Sequence, residues 1–344
     1  MVIGIITQII NKSHVIIISP SHRRKKNMPN STPLTLPIAE YRLLYQTPNA
    51  LPLNGYTGSA WRGAFGHALK KSVCITGLKQ CQSCLLKHQC AYSYLFETPI
   101  PPNSKKMRLY THAPHPFVIQ PPQEEKIIDG FIYPLHFSLF GDNQRYLPYA
   151  IHGWQQLGQQ GIGVKRQMLE LVAVEQFDSA QANWVMIYQP GGELSPLPIS
   201  VYDVPALPQT VDIHLQTPVR ITTQDKPVSS AEFSFSAFFS HLLRRISMLT
   251  YFHTETPLDI DFASLVDKSR AVPLAQCDLQ WYDWKRYSSR QTREIKLGGL
   301  TGSFSLTGDL IADFWPYLWL GQHTHVGKAT SMGMGKYHIK NIAT

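Results

Sequence analysis

Charged side chains are scarce. Asp, Glu, Lys and Arg make up 16% of the 344 residues, against 43% hydrophobic residues. That balance excludes a disordered polyelectrolyte and describes a globular chain. Acid is the scarcer sign, with 23 Asp and Glu against 32 Lys and Arg, so the formal net charge is +9. An excess of that size on so few charges favours an anionic partner such as nucleic acid or a membrane surface. Many basic proteins are merely basic, so the charge supports such a partner without assigning one. No apolar run approaches the roughly 20 residues that a membrane helix needs, which argues against a membrane role. The first residues make a poor export signal. Val15-Ile-Ile-Ile18 is apolar, but Asn11-Lys-Ser-His14 interrupts the run ahead of it. A cytoplasmic chain is therefore expected. Residues 1–30, with His22-Arg-Arg-Lys-Lys26 ahead of Met28, read as a disordered extension or an upstream start, with Met28 as an alternative start. At only five cysteines and no export signal, a disulfide staple is not expected.

One stretch near the C-terminus organises the rest: Gly321-Gln-His-Thr-His-Val-Gly-Lys-Ala-Thr-Ser-Met-Gly-Met-Gly-Lys-Tyr337. Gly327, Gly333 and Gly335 stand among Lys328, Thr330, Ser331 and Lys336. Glycine permits positive φ and close approach of another backbone. Consecutive exposed N–H groups in such a loop form a concave anion site, and the two lysines add fixed positive charge. The aromatic segment Phe314–Leu320 precedes the loop, and Tyr337–Ile342 alternates after it like a strand. The order helix, loop, strand is the reverse of a lysine-bearing P-loop or a dinucleotide fingerprint. A tight surface turn is the plainer alternative.

The stretch has a fainter copy earlier. Phe137-Ser-Leu-Phe-Gly-Asp142 matches Phe304-Ser-Leu-Thr-Gly-Asp309, and Pro148-Tyr149 matches Pro316-Tyr317. Leu157-Gly-Gln159 matches Leu320-Gly-Gln322, and Gly161-Ile-Gly-Val-Lys165 stands where Val326-Gly-Lys328 stands. Four landmarks in one order imply two related halves.

Elements placed by periodicity agree. In the first half these are a strand over 37–45, a helix from Thr57 or Ser59 to Val73, a short strand over 115–119, a strand over 131–140, a helix over 147–159 and a strand over 164–174. The second half opens with a strand over 211–221 and a helix over 233–252, and closes with the copied unit. Each half thus reads β-α-β-β-α-β, the ferredoxin-like order. The expected fold is α+β: two tandem ferredoxin-like domains with a central groove and a small metal-binding insert. The expected boundaries are 31–180 for the N-terminal domain with a Cys insert at 74–90, 181–210 for a linker rich in Pro, Gly and Ser, and 211–344 for the C-terminal domain. Trp281-Tyr-Asp-Trp-Lys-Arg-Tyr-Ser-Ser-Arg290 interleaves aromatics with bases. Such a mix suits single-stranded RNA as well as an exposed strand.

Cys74-x6-Cys81-x2-Cys84-x5-Cys90 is the sharpest local signal. Four thiolates at short spacing close a tetrahedral zinc shell; an iron–sulfur cluster uses the same ligands, and spacing does not separate the two. A closed four-sulfur site has no open position, so its expected role is structural. His88 is a substitute ligand, and isolated Cys277 reads as an ordinary buried cysteine. For catalysis the candidate is a base that needs no open metal. His67 shares the polar face of the first helix with Lys71, one turn on. An imidazole moves protons at a ribose 2′-hydroxyl or a leaving 5′-oxygen, and an ammonium stabilises charge on the phosphate. A histidine on a polar helix face is more commonly only solvated, and His323 and His325 are rivals beside the glycine loop.

Together, the paired halves, Gly55-Tyr-Thr-Gly-Ser-Ala-Trp-Arg-Gly-Ala-Phe-Gly-His67, the four-cysteine insert and Val326-Gly-Lys-Ala-Thr-Ser-Met-Gly-Met-Gly-Lys336 resemble the repeat-associated RNA-binding proteins of CRISPR systems. Within them the resemblance is to the endoribonuclease that processes precursor CRISPR RNA, over about residues 35–342. It implies tandem ferredoxin-like domains, recognition of the repeat, and metal-independent attack of the 2′-hydroxyl on the adjacent phosphodiester. The implied products carry a 5′-hydroxyl and a 2′,3′-cyclic phosphate. His67 and Lys71 take the places of the catalytic histidine and lysine of the family. The glycine-loop residues Gly327, Lys328, Ser331, Gly333, Gly335 and Lys336, with Arg62 and Lys70 on the first helix, become the RNA-contacting candidates. Precursor repeat RNA is the implied partner, with effector subunits beside it. Two rivals stand against a nuclease: a non-catalytic RNA-binding subunit of a CRISPR effector, and a zinc-stabilised protein-interaction or redox module.

Overall fold

The computed structural model describes residues 34–51, 55–101, 104, 106, 112–122, 125–127, 130–163, 165–288 and 293–340. The extension assigned to residues 1–30 lies outside them. Among the described residues no helix is long and apolar enough to cross a membrane.

The first domain runs β1 (Ile38–Thr47), α1 (Gly58–Val73), β2 (Phe117–Gln120), β3 (Glu125–Ile127), β4 (Gly130–Phe140), α2 (Leu147–Gln160), β5 (Glu170–Asp178) and β6 (Asn183–Tyr188). Its sheet order is β2-β4-β1-β5-β6, with β3 also on β4. Without β3 and β6 this is the antiparallel ferredoxin-like order. Alternation on β1 sends Tyr41, Leu43 and Tyr45 under the helices and leaves Glu40 and Arg42 half-buried on the other face. Trp61, Phe65, Ala68 and Leu69 form the buried stripe of α1 at helical spacing. Phe65 stacks flat on Trp154 of α2, with centroids 3.9 Å apart.

The second domain runs β7 (Thr210–Val219), β8 (Thr222–Thr223), β9 (Lys226–Pro227), α3 (Phe235–His253), α4 (Phe262–Ser269), β10 (Gln276–Tyr282), β11 (Lys285–Ser288), β12 (Arg293–Lys296), β13 (Gly299–Thr307), α5 (Trp315–Thr324) and β14 (Tyr337–Lys340). Its four-stranded order, β10-β13-β7-β14, repeats the first domain's topology. The internal repeat is therefore structural. Both Phe-Ser-Leu segments end the third strand of their domain, and Pro148 and Pro316 each sit in the first turn of the helix that follows.

Three local expectations are corrected. The stretch 181–210 opens on β6, because Trp184-Val-Met-Ile-Tyr188 pairs with β5 before the Pro- and Gly-rich chain begins. The first domain's closing strand starts at Glu170 rather than 164. Cys277 is exposed; it lies on β10, which among the described residues pairs with β13 alone and stands at the edge of the sheet.

The domains share hydrophobic packing. Leu36, Ile38, Val118 and Phe140 of the first domain join the core built by α3, α5 and β7 of the second. A second seam is made by backbone. Tyr56 Oη donates to the Met332 carbonyl at 2.8 Å, and a Cβ on Gly58 would stand 1.9 Å from that oxygen. Gly58→Ala should therefore force the loop and α1 apart and destabilise the fold by about 1–3 kcal/mol. Gly63→Ala, where a Cβ meets open space on the same helix, should be neutral or stabilising by up to about 1 kcal/mol. Urea midpoints of the two variants check this; equal midpoints would contradict it.

Candidate functional site

The glycine loop joins α5 to β14 and turns back through positive φ at His325, Gly327, Ala329, Gly333 and Gly335. Its amides face inward. Val326 N–H donates to Gly335 O, Lys328 N–H to Arg220 O and Gly335 N–H to Pro218 O. The Thr217 hydroxyl accepts from Lys336 N–H and donates to Gly333 O, both at 2.8 Å. Three of these donors bond the chain at Thr217, Pro218 and Arg220, at the end of β7, so those amides are not offered to an anion. Gly333 and Gly335 are buried and shape the turn, and a Cβ on Gly333 would stand 2.4 Å from Ile119 O. Lys328 is exposed on the outer turn, next to half-buried Gly327.

Side chains from both domains converge on the loop. Arg62 of α1 donates through Nε to Ser331 Oγ at 3.0 Å, and its NH2 nitrogen lies 2.9 Å from His115 Nε2. An arginine has no lone pair to offer, so His115 Nε2 accepts. Lys336 Nζ donates to Gln120 Oε1 at 2.6 Å, and burial lowers its pKa. Trp284, at the base of the β11–β12 hairpin, meets Tyr56 edge-on at 5.0 Å. The aromatic and basic segment 281–290 therefore meets, through Trp284, the helix and loop that hold Arg62 and Ser331; its residues 289 and 290 lie outside the described residues.

Behind the loop the interface is cationic and short of partners. Burial lowers the Arg245 pKa to about 9, and its Nε donates to the Thr324 carbonyl. One guanidinium nitrogen of Arg245, His115 Nδ1 and His325 Nε2 are sealed from water and have no hydrogen-bond partner among the described residues. Burial, with Arg62 and Arg245 nearby, holds His115 well below the usual histidine range. His325 is fully buried, its ring within 3.0 Å of the Met334 carbonyl through Nδ1, and burial lowers its pKa to about 3. A neutral, sealed ring is no proton shuttle, so His325 drops out as a rival to His67. His323 is tied down differently, with Nδ1 2.6 Å from Glu40 Oε1 and its ring stacked 4.2 Å from Tyr202. Burial would raise the Glu40 pKa, but the bond and charge of His323 and the Tyr202 hydroxyl bring it below its ordinary value.

His67 and Lys71 lie elsewhere. Both are exposed on α1. His67 is five residues past Arg62, about 7.5 Å along the axis and about 140° around it. Lys70 faces the cysteine insert, its Nζ 3.1 Å from Lys79 O and over the Tyr92 ring at 5.2 Å. The structure thus groups Arg62, Ser331, Gly333 and Lys336, and leaves His67, Lys70 and Lys71 on the flank toward the insert. Cys74, Cys81, Cys84 and Cys90 line one cavity of about 270 Å³. Thr76 Oγ1 lies 3.5 Å from Cys84 Sγ and 3.9 Å from Cys74 Sγ. The donor set suits a thiophilic ion, yet among the described residues no three Cys, His, Asp or Glu are gathered closely enough to hold one.

His115, Gln120 and Arg245 were not expected at the site. Each lies far along the chain from its partners, and the seam between domains brings them to the loop.

A family model described as CRISPR-associated endoribonuclease Cas6 matches residues 213–337, and one described as the AF_1859 N-terminal domain matches residues 36–199. An uncharacterized protein of Archaeoglobus fulgidus is 23% identical over 302 residues, covering 83% of this chain and 92% of that protein. Among solved structures, a Cas6 product complex superposes with a TM-score of 0.53 at 13% identity, over 88% of this chain and 99% of that one. A Cas6-RT-Cas1–Cas2 complex gives 0.52 at 14% identity, over 91% of this chain and 30% of that one. At such identities the superpositions speak for the fold.

The buried histidines set a pH dependence. Burial lowers the pKa of His253 to about 4 and of His325 to about 3, while both titrate near 6.5 when unfolded. Between 6.5 and those values the unfolded chain binds more protons. Stability should therefore be complete above about pH 6.5 and fall as pH drops, by up to about 1.4 kcal/mol per histidine per pH unit. Urea unfolding at pH 7.5, 6.0 and 5.0 measures the slope. His253→Gln should remove about one proton from it, and a flat profile would contradict the assignment.

Proposed function

Since this chain belongs, through the domain at residues 213–337, to the CRISPR-associated endoribonucleases, we propose that it binds CRISPR repeat RNA and cuts the precursor transcript. The family match over the domain that carries the glycine loop is the observation that supports this most. The tandem ferredoxin-like architecture and the cationic seam between the domains agree with it. In this reading Gly327 and Lys328 on the outer turn of the loop, with Ser331 and Lys336 behind them and Arg62 and Lys70 on α1, engage the ribose-phosphate chain.

The proposed chemistry needs only side chains. His67 takes the proton from the 2′-hydroxyl, O2′ attacks the adjacent phosphorus, and the P–O5′ bond breaks. The leaving O5′ gains a proton. One product ends in a 2′,3′-cyclic phosphate and the other begins with a 5′-hydroxyl. Lys71, one turn from His67 on the same exposed face, offsets charge building on the phosphate. His67 is free of hydrogen bonds and ion pairs to other described residues, which leaves its ring open to substrate. For the cysteine cavity we propose zinc, or an iron–sulfur cluster on the same four thiolates, as a group that orders the insert and takes no part in cleavage.

One assay separates the readings. Repeat RNA is incubated with wild-type protein and His67→Ala in excess chelator. His67→Ala should bind normally and cut about 10²- to 10⁴-fold more slowly. RNA bound tightly but uncut by the wild type would make the chain a non-catalytic subunit. An absence of RNA affinity would favour a protein-interaction or redox module. A variant that still cuts at the wild-type rate would move the proton-transfer role away from His67.

A further inference from the structure

The chain carries no acidic residue between Glu40 and Glu97, yet that span holds Arg62, Lys70, Lys71, Lys79 and Lys87. Among the described residues none of the four lysines forms an ion pair. Lys70 donates to the Lys79 carbonyl at 3.1 Å and Lys87 to the Gln82 carbonyl at 3.2 Å, so both charges are held against the insert without being neutralised. Lys71 and Lys79 are exposed.

Apolar side chains stand beside this charge. Ile75 and Leu85 are each 85% exposed, and Leu78 and Tyr149 are 44% and 50% exposed. Three of them, Ile75, Leu78 and Tyr149, line the cysteine cavity. A single exposed aliphatic is unremarkable, but three on one small insert, with Tyr149 of α2 beside its cavity, mark a contact surface. Its surround is lysine-rich, with Glu97 acting on Cys81 from outside the insert, and on balance suits a polyanion. Both ends of α1 are basic: Arg62 stands against the glycine loop, and Lys70 and Lys71 in the last turn adjoin the insert.

We propose that the cysteine insert is a second RNA-contact element. Lys79 and Lys87 hold phosphates of the RNA that continues along α1 past the cleavage position, and Ile75 and Leu85 pack against bases unstacked there. This rests on the RNA-processing reading above and extends it to a segment of the chain beyond the loop and the first helix.

The test uses the full-length protein and labelled repeat RNA, with affinity measured at several salt concentrations. Lys79→Gln/Lys87→Gln should bind roughly tenfold more weakly, and its log–log salt slope should be shallower by about 1.4, as for two lost contacts to a single strand. Ile75→Ser/Leu85→Ser should weaken binding with the slope unchanged. Ile75, Lys79 and Leu85 are exposed and Lys87 is half-buried with only a bond to the Gln82 carbonyl among the described residues, so both variants should melt within a few degrees of the wild type. Trimming the RNA back to the cleavage position should erase the differences. Wild-type affinity and slope in both variants would overturn the inference, leave the RNA-processing reading standing, and assign the face to a protein partner. A wild type that binds no repeat RNA would overturn both.

Discussion

Everything near the site depends on a close approach of two backbones. The carbonyl of Met332, in the glycine loop of the second domain, sits against Gly58 at the start of α1 in the first. No side chain fits between them. The approach lets Tyr56 cap that carbonyl and lets Arg62 reach Ser331, while Gly333 rests on β2. The loop's inward amides serve the same end, because a loop anchored to β7 by its own donors is stiff enough to register one domain on the other. The glycines are therefore first a device for docking, and only their outer turn is left for a ligand.

Electrostatics follow from that docking. Closing the seam buries Arg245 and Lys336 and leaves His115, His253 and His325 neutral. Neutral histidines tolerate the neighbouring guanidinium and ammonium groups, whereas charged ones would repel them. Glu40 is the main counterweight, and it is committed to His323 and Tyr202. Among the described residues the seam consequently carries more positive than negative charge, which suits a phosphate chain on the adjoining surface.

Much of this was legible in the residues. The repeated Phe-Ser-Leu, Pro-Tyr and Leu-Gly-Gln landmarks fall at equivalent places in the two sheets because each marks a strand end, a helix start or a helix end. Arg62, Ser331 and Lys336 were visible as candidates. What escaped was anything set by the meeting of the domains. Periodicity reads one element at a time, so it assigned the loop's amides to a ligand when β7 holds them. It also saw nothing in His115, Gln120 or Arg245, whose partners lie far along the chain. Cys277 was misjudged for a related reason, since composition does not tell an edge strand from a central one. The cysteine spacing showed that four thiols would be neighbours, and they are, but not whether their sulfurs would converge.

The account's central claim is that this duplicated fold presents RNA to a side-chain acid–base on α1. The most direct measurement is the fate of repeat RNA carrying one 2′-deoxynucleotide at the cleavage position. Undiminished binding without cleavage there, beside unmodified RNA cut to a cyclic phosphate end, is the predicted result. Cleavage of the deoxy-substituted RNA at an undiminished rate would contradict it, because the attacking oxygen would then have come from elsewhere.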